Sequence, residues 1–187
     1  MQTFNFAGRT PEVLLLSGDD VRHLLTWSDA VTAVEAAFHA LGTGAAPTPG
    51  ILGFHISGGG FHIKAGLSQQ DGGYFVTKIN ANLPGNHDRG LPTIQGVIAL
   101  FDAHDGRLLA LLDSIELTAR RTGAGTAVAV KYLARSDAST LTIVGCGAQA
   151  YAQVRAVCEV RTIDRVFTYD IKQDAAEVMA NRIEHDI

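Results

Sequence analysis

Four features of this chain have residue types and spacing that could do chemistry. They are a glycine-rich turn, an acid one strand later, a lysine set in an apolar strand and a pair of adjacent arginines. The turn is Val144-Gly145-Cys146-Gly147-Ala148-Gln149-Ala150, preceded by the β-branched run Leu141-Thr142-Ile143 and followed by a helical pattern. Strand, glycine turn and helix in that order are the context in which Gly-x-Gly-x-x-Ala reads as a dinucleotide-binding turn. Gly145 permits the tight bend, Gly147 lets backbone approach a pyrophosphate, and Ala150 is small enough for the helix to lie on the sheet. The helix N-terminus then offers N–H groups and partial positive charge to phosphates. Val166-Phe167-Thr168-Tyr169-Asp170 reads as the next parallel strand, ending in a carboxylate. An acid there accepts hydrogen bonds from an adenosine ribose and repels a 2′-phosphate, which favours NAD over NADP. A structural glycine turn with no nucleotide is the alternative.

Lys78, among the apolar neighbours of Tyr74-Phe75-Val76-Thr77-Lys78-Ile79-Asn80, is either an edge-strand charge or a desolvated functional amine. Arg120 and Arg121 stand in a helical segment, where neighbouring side chains point in different directions, so at most one faces a given site. An arginine turned toward a cleft suits bidentate binding of a carboxylate; a surface or interface role is the alternative. His55 and His62 are expected to face each other across a hairpin whose turn is Ser57-Gly58-Gly59-Gly60. No third ligand accompanies them, so a polar cross-strand pair is expected rather than a metal site. Cys146 and Cys158 do not make a disulfide framework, and Cys146 reads as a small residue between turn glycines rather than a redox group.

The elements that must position these groups follow from hydrophobic period and punctuation. Val13 to Leu16 reads as a strand, and Ser17 and Ser28 read as helix N-caps before acidic first turns. Ala30, Val34, Ala37, Phe38 and Leu41 recur at helical spacing up to a stop at Gly42. Two antiparallel hairpins follow, the second closed by His104-Asp105-Gly106. The segments 83–86 and 89–93 read as loop. Ser114 to about Leu133 reads as a helix rich in small residues, able to take another backbone close against it. From 137 the order is strand, helix, strand, helix, which is one half of a doubly wound nucleotide domain. The expected architecture is therefore α/β, with an α+β unit over residues 1–136 and a partial Rossmann unit over 137–187.

The composition is 47% apolar and 18% charged, enough for a core. A net charge of −4 with no Lys/Arg block argues against nucleic acid or a membrane surface as partner. No apolar run approaches the ~18–20 residues of a membrane span. No signal-peptide pattern opens the chain, and the cytoplasm is the expected compartment.

Four ordered motifs, Lys78-Ile79-Asn80, Gly90-Leu91-Pro92-Thr93-Ile94-Gln95-Gly96, Leu117-Thr118-Ala119-Arg120-Arg121-Thr122 and Val144 to Ala150, resemble the ornithine cyclodeaminase/μ-crystallin family. The resemblance runs from about residue 13 to the end. It implies a substrate-binding and dimerising domain joined to a Rossmann domain, with NAD as cofactor, a small amino acid as substrate and a homodimer as the assembly. In the cyclodeaminases of that family, hydride leaves the α-carbon of ornithine, the side-chain amine attacks the imine, ammonia departs and hydride returns. Other members are amino-acid dehydrogenases or imine reductases, and some are small-ligand binders. By position, the resemblance makes Lys78 the catalytic and substrate-binding lysine and Arg121 the arginine for the α-carboxylate. It makes Thr93, Thr122, Gly145, Gly147, Ala148, Gln149 and Asp170 cofactor contacts. Two departures stand out. The segment 45–56 lacks the further arginine that family members often carry, with Lys64 or His62 as substitutes. The family's catalytic aspartate lies in the second half of the Rossmann domain, so no residue here takes that role and the chain reads as an N-terminal portion that by itself is expected to be inactive.

Overall fold

The computed structural model describes residues 12–68 and 73–187, which divide into two compact units. The first holds the described residues up to Val21 together with Thr43–Ile115; the second holds Arg22–Gly42 and Glu116–Ile187.

In the first unit, β1 (Leu14–Leu16) is followed by α1 (Gly18–Leu24), whose later residues pass into the second unit. Ser17 caps α1 as expected. Its Oγ accepts the Asp20 N–H at 3.2 Å, while the Asp20 carboxylate takes the Ser17 N–H at 2.8 Å. The strands β2 (Gly50–Ile56), β3 (Gly59–Ser68), β4 (Tyr74–Asn82), β5 (Ile94–Asp102) and β6 (Leu108–Asp113) complete a six-stranded sheet in the order β1-β6-β5-β4-β3-β2. All pairings are antiparallel except that of β1 with β6. Between β4 and β5 the chain is not simple loop. Pro84–Arg89 forms a 3-10 helix, with Pro in its first turn and Gly90 closing it at φ +68°.

The strands alternate polar and apolar residues, so register assigns each side chain to a face. One row crosses the whole sheet as Ile51, Lys64, Lys78, Ile98, Leu112 and Leu16. The opposite face is apolar and open. Leu52 and Phe54 are 53% and 52% exposed there, and Phe61, Leu67, Ile79 and Val97 are exposed with them.

In the second unit, α2 (Trp27–Gly42) and most of α3 (Ser114–Leu133) pack with α4 (Ala150–Cys158), around Ala30, Val31, Ala124, Ala127, Val128 and Ala156. The small residues of α3 act as expected: a Cβ on Gly123 would run into the Ala152 carbonyl oxygen. The parallel pair β7 (Thr140–Val144) and β8 (Arg165–Tyr169) is covered on one face by α4 and α5 (Gln173–Asp186), which meet through Ala150, Val154, Met179 and Ile183. On the other face Val144, Phe167 and Tyr169 are open. This is the α/β architecture expected, with a Rossmann-type strand–turn–helix arrangement.

Two expectations fail locally. The cap of α2 is Thr26, not Ser28: its Oγ1 accepts the Asp29 N–H at 3.1 Å and donates to the Asp29 carboxylate at 2.6 Å. Both Thr26-x-x-Asp29 and Ser17-x-x-Asp20 fit the reciprocal box; the helix begins one residue before Ser28. The first hairpin turns on Ser57 and Gly58 alone, with Gly58 at φ +82° and Gly59 already in β3. That shorter turn sets His55 opposite Gly60 and His62 opposite Gly53, so the histidines lie diagonally on one face rather than opposed. Among the described residues, no cluster of three metal-ligating side chains occurs.

Candidate functional site

The glycine turn is built from β7, β8 and the start of α4. Gly145 takes φ +90°, a conformation L side chains rarely adopt, and donates its N–H to the Tyr169 carbonyl at 2.8 Å. That bond ties the turn to the end of β8. Asp170, the next residue, accepts the Cys146 N–H at 2.7 Å on one carboxylate oxygen and the Lys172 N–H at 2.9 Å on the other. These two backbone bonds, that from Lys172 foremost and that from Cys146 next, hold its pKa below the usual carboxylate value. The carboxylate is half-buried beside the turn, with lone pairs to spare.

Gly147 differs from Gly145. Its φ lies outside the left-handed range, and a Cβ built on it would meet nothing within 4 Å. Neither backbone conformation nor packing among the described residues explains a glycine there. A ligand that must come close to the backbone does, and a pyrophosphate at a helix N-terminus is such a ligand. Ala148 is exposed at the mouth of α4, and no side chain caps that helix. Ala150 is buried against Val154 and Met179, as a helix lying close on a sheet requires. Gln149 is half-buried, and its Oε1 has no partner among the described residues. The residues present therefore fit a dinucleotide. The Cys146 thiol sits against the Tyr169 carbonyl at 3.6 Å, whereas burial pushes the Cys158 thiol pKa up.

On the six-stranded sheet, Lys78 is half-buried on β4 and stands directly opposite Lys64 of β3. It lies in the sheet interior, between β3 and β5, so the edge-strand alternative is removed. In the adjoining row of the same face, His62 is opposite Asn80, and Asn80 is opposite Gly96. Asn80 is only 9% exposed, and its Oδ1 has no partner among the described residues. A Cβ on Gly96 would collide with that Oδ1 and with the Ile79 carbonyl oxygen. Asn80 stands in the motif Lys78-Ile79-Asn80 with no role assigned by the sequence; its two-residue spacing from Lys78 on a strand is the signal that places both on one face. Thr93 is half-buried just before β5, and its carbonyl accepts the Leu83 N–H at 2.9 Å.

The adjacent arginines of α3 separate cleanly. Arg120 is 6% exposed, donates to Glu116 at 2.8 Å, to the Leu25 carbonyl and to the Arg22 carbonyl at 3.2 Å, and lies over the Trp27 ring at 4.8 Å. Its guanidinium is taken up by the fold. Arg121 is exposed and has no partner among the described residues, which leaves it the arginine available to a ligand. Thr122, one residue on, donates its hydroxyl to the Thr118 carbonyl of its own helix at 2.6 Å.

Comparison with known proteins agrees with these features. The chain matches the ornithine cyclodeaminase/mu-crystallin family over residues 12–187 and belongs to it. It is 36% identical to an L-lysine cyclodeaminase of Streptomyces rapamycinicus over 82% of this chain and 46% of that protein. Among solved structures, an archaeal alanine dehydrogenase dimer with bound NAD superposes at a TM-score of 0.85, with 34% identity over 92% of this chain and 53% of that one. The Thermococcus litoralis Delta(1)-pyrroline-2-carboxylate reductase, solved with NADH and L-proline, superposes at 0.84, with 35% identity over 92% and 54%. The chain thus spans about half the length of the relatives it matches.

Proposed function

We propose that this chain carries the amino-acid-binding sheet and the dinucleotide turn of an NAD-dependent enzyme that acts at the α-carbon of an amino acid. Because the chain spans about half of its relatives, the activity, substrate and partners of the whole protein are all part of the proposal. Residues 1–136 are read as the substrate and dimerisation region and 137–187 as the nucleotide-binding region. The observation that carries the reading is Gly147, a glycine that nothing inside the chain requires. Gly145, Gly147, Ala148 and Gln149 would hold the pyrophosphate side of the cofactor, Asp170 the adenosine ribose, and Thr93 and Thr122 would make further contacts. When bound, the nicotinamide supplies or accepts a hydride at the α-carbon.

Lys78 and Arg121 each offer a cation to a substrate carboxylate, and Lys78 moves a proton at the substrate nitrogen. The first reading is cyclodeamination of a diamino acid. The second is oxidation of an amino acid or reduction of its imine, and the Lys64–Lys78 row favours it, because two cations repel a substrate side chain ending in an ammonium. The open apolar face of the six-stranded sheet suits a second copy of this chain, hence a homodimer. Two free thiols suit the reducing cytoplasm.

Equilibrium titration tests the core of this. NAD⁺ is expected to bind saturably and NADP⁺ much more weakly; no saturable NAD⁺ binding at millimolar concentration overturns it. With an amino-acid panel, NADH formation marks the dehydrogenase and ammonia release without net NADH marks the cyclodeaminase. In the whole protein, binding with neither marks a non-catalytic ligand carrier.

A further inference from the structure

The reading above gives Lys78 a substrate carboxylate, and the sheet raises the further question of what Lys64 is for. The two lysines are paired in register on adjacent strands, with side chains on the same face. Residues so placed have Cβ atoms roughly 4.5–5.5 Å apart, where like charges are unfavourable. Fold stability alone does not call for a lysine at 64, since Ile51 and Ile98 occupy the same row. The rows to either side contribute His62 and Asn80 on one hand and Gly66, Val76 and Leu100 on the other, with no carboxylate. The acid of this face on β5, Asp102, stands two rows beyond Lys78 and is engaged with Arg107 at 3.7 Å. Beside the two lysines, the buried Asn80 carbonyl oxygen lacks a partner among the described residues.

We propose that Lys64 is a specificity-determining residue that reads the substrate side chain and selects one ending in a carboxylate. The inference rests on Lys78 contacting the α-carboxylate. The two carboxylates of a four- or five-carbon amino diacid are separated by about one cross-strand step. One can therefore sit at Lys78 and the other at Lys64. A diamino acid would place its second ammonium against Lys64. The substrate class is thus an acidic α-amino acid or its imine, with neutral side chains second and basic ones last.

Calorimetric titration of the full chain, saturated with NAD⁺, with L-aspartate, L-alanine and L-ornithine decides the matter. Aspartate is expected to bind about tenfold tighter than alanine, and ornithine more weakly than alanine. In Lys64→Gln the aspartate-to-alanine ratio of dissociation constants should approach one, and in Lys64→Glu ornithine should overtake aspartate. Unchanged thermal melting shows that both variants fold. If alanine binds and the ratio survives Lys64→Gln, the role of Lys64 is overturned while the reading of Lys78 stands. If no amino acid binds the wild type, both are overturned together.

Discussion

The two proposed recognition surfaces, the Gly145–Ala150 turn and the β3–β4 face, are built in opposite ways. At the turn the working groups are backbone N–H donors and an open space, and side chains matter by being absent. On the sheet the working groups are side-chain ends, gathered by strand register from residues far apart in sequence. Even the glycines differ in purpose. A Cβ at Gly96 would strike the chain itself, at the Ile79 carbonyl oxygen and Asn80 Oδ1, whereas a Cβ at Gly147 would strike nothing the chain contains. Gly96 is therefore required by the fold, whereas the fold leaves room for a side chain at Gly147.

That contrast breaks or holds on a pair of substitutions. Gly96→Ala is expected to destabilise the chain by about 3 kcal/mol, the upper range for overpacking against unyielding backbone. Gly147→Ala should leave the urea midpoint within experimental error and weaken NAD⁺ binding by about tenfold to a hundredfold, through phosphate hydrogen bonds lost to the added methyl. Gly147→Ala with wild-type NAD⁺ affinity would remove the evidence for a ligand at the turn.

The same division between fold and ligand runs through two adjacent residues of α3. Removing the Arg120 side chain takes a hydrogen-bond partner from Glu116 and from the carbonyls of Leu25 and Arg22, and uncovers Trp27. Arg120→Ala should cost about 2 kcal/mol in urea denaturation. Arg121→Ala, at an exposed position, should stay within about 0.5 kcal/mol while weakening amino-acid binding. Equal stability losses for the two variants would show that Arg121 also serves the fold.

What could be read from the sequence follows from the same physics. The turn was legible because its determinants are contiguous: Gly145, Gly147, Ala150 and the strand before them lie within one short window. The helix caps were half legible, since Ser17 and Thr26 open identical boxes and Ser28 competed for the second. The sheet face was legible only as strands. Whether His55 meets His62 depends on a turn of two residues or four, and a string of glycines allows either. Arg120 and Arg121 could not be ranked from their own types, because the Trp27 ring and the Leu25 carbonyl that claim Arg120 lie nearly a hundred residues earlier. The ranking came from family resemblance, and the burial of Arg120 now gives it a physical reason.

Thiol chemistry probes the turn without substituting its residues. Cys146 lies between the two turn glycines, while Cys158 is held protonated by burial on the helix that follows. Iodoacetamide at neutral pH is expected to label Cys146 several-fold faster than Cys158, and saturating NAD⁺ should slow the Cys146 reaction alone. Equal protection of both thiols would point to general tightening rather than occupation of the turn.

The last expected effect concerns Asp170, where the turn meets a side-chain carboxylate. Its pKa is depressed in the folded chain by the Lys172 and Cys146 N–H groups, so folding favours the ionised form. The stabilisation is therefore complete above the unfolded value of about 4 and is lost as pH falls through the depressed folded value. Between pH 5 and 8 the carboxylate stays charged, and NAD⁺ affinity should show no titration from this group. Asp170→Asn keeps an acceptor oxygen for the Cys146 N–H but loses the charge. It should weaken NAD⁺ binding by about tenfold and narrow the preference over NADP⁺, because a neutral amide no longer repels a 2′-phosphate. The melting difference between variant and wild type should be modest at pH 7 and shrink below pH 4. A difference that instead grew on acidification would mean the carboxylate is held by something other than those two backbone groups.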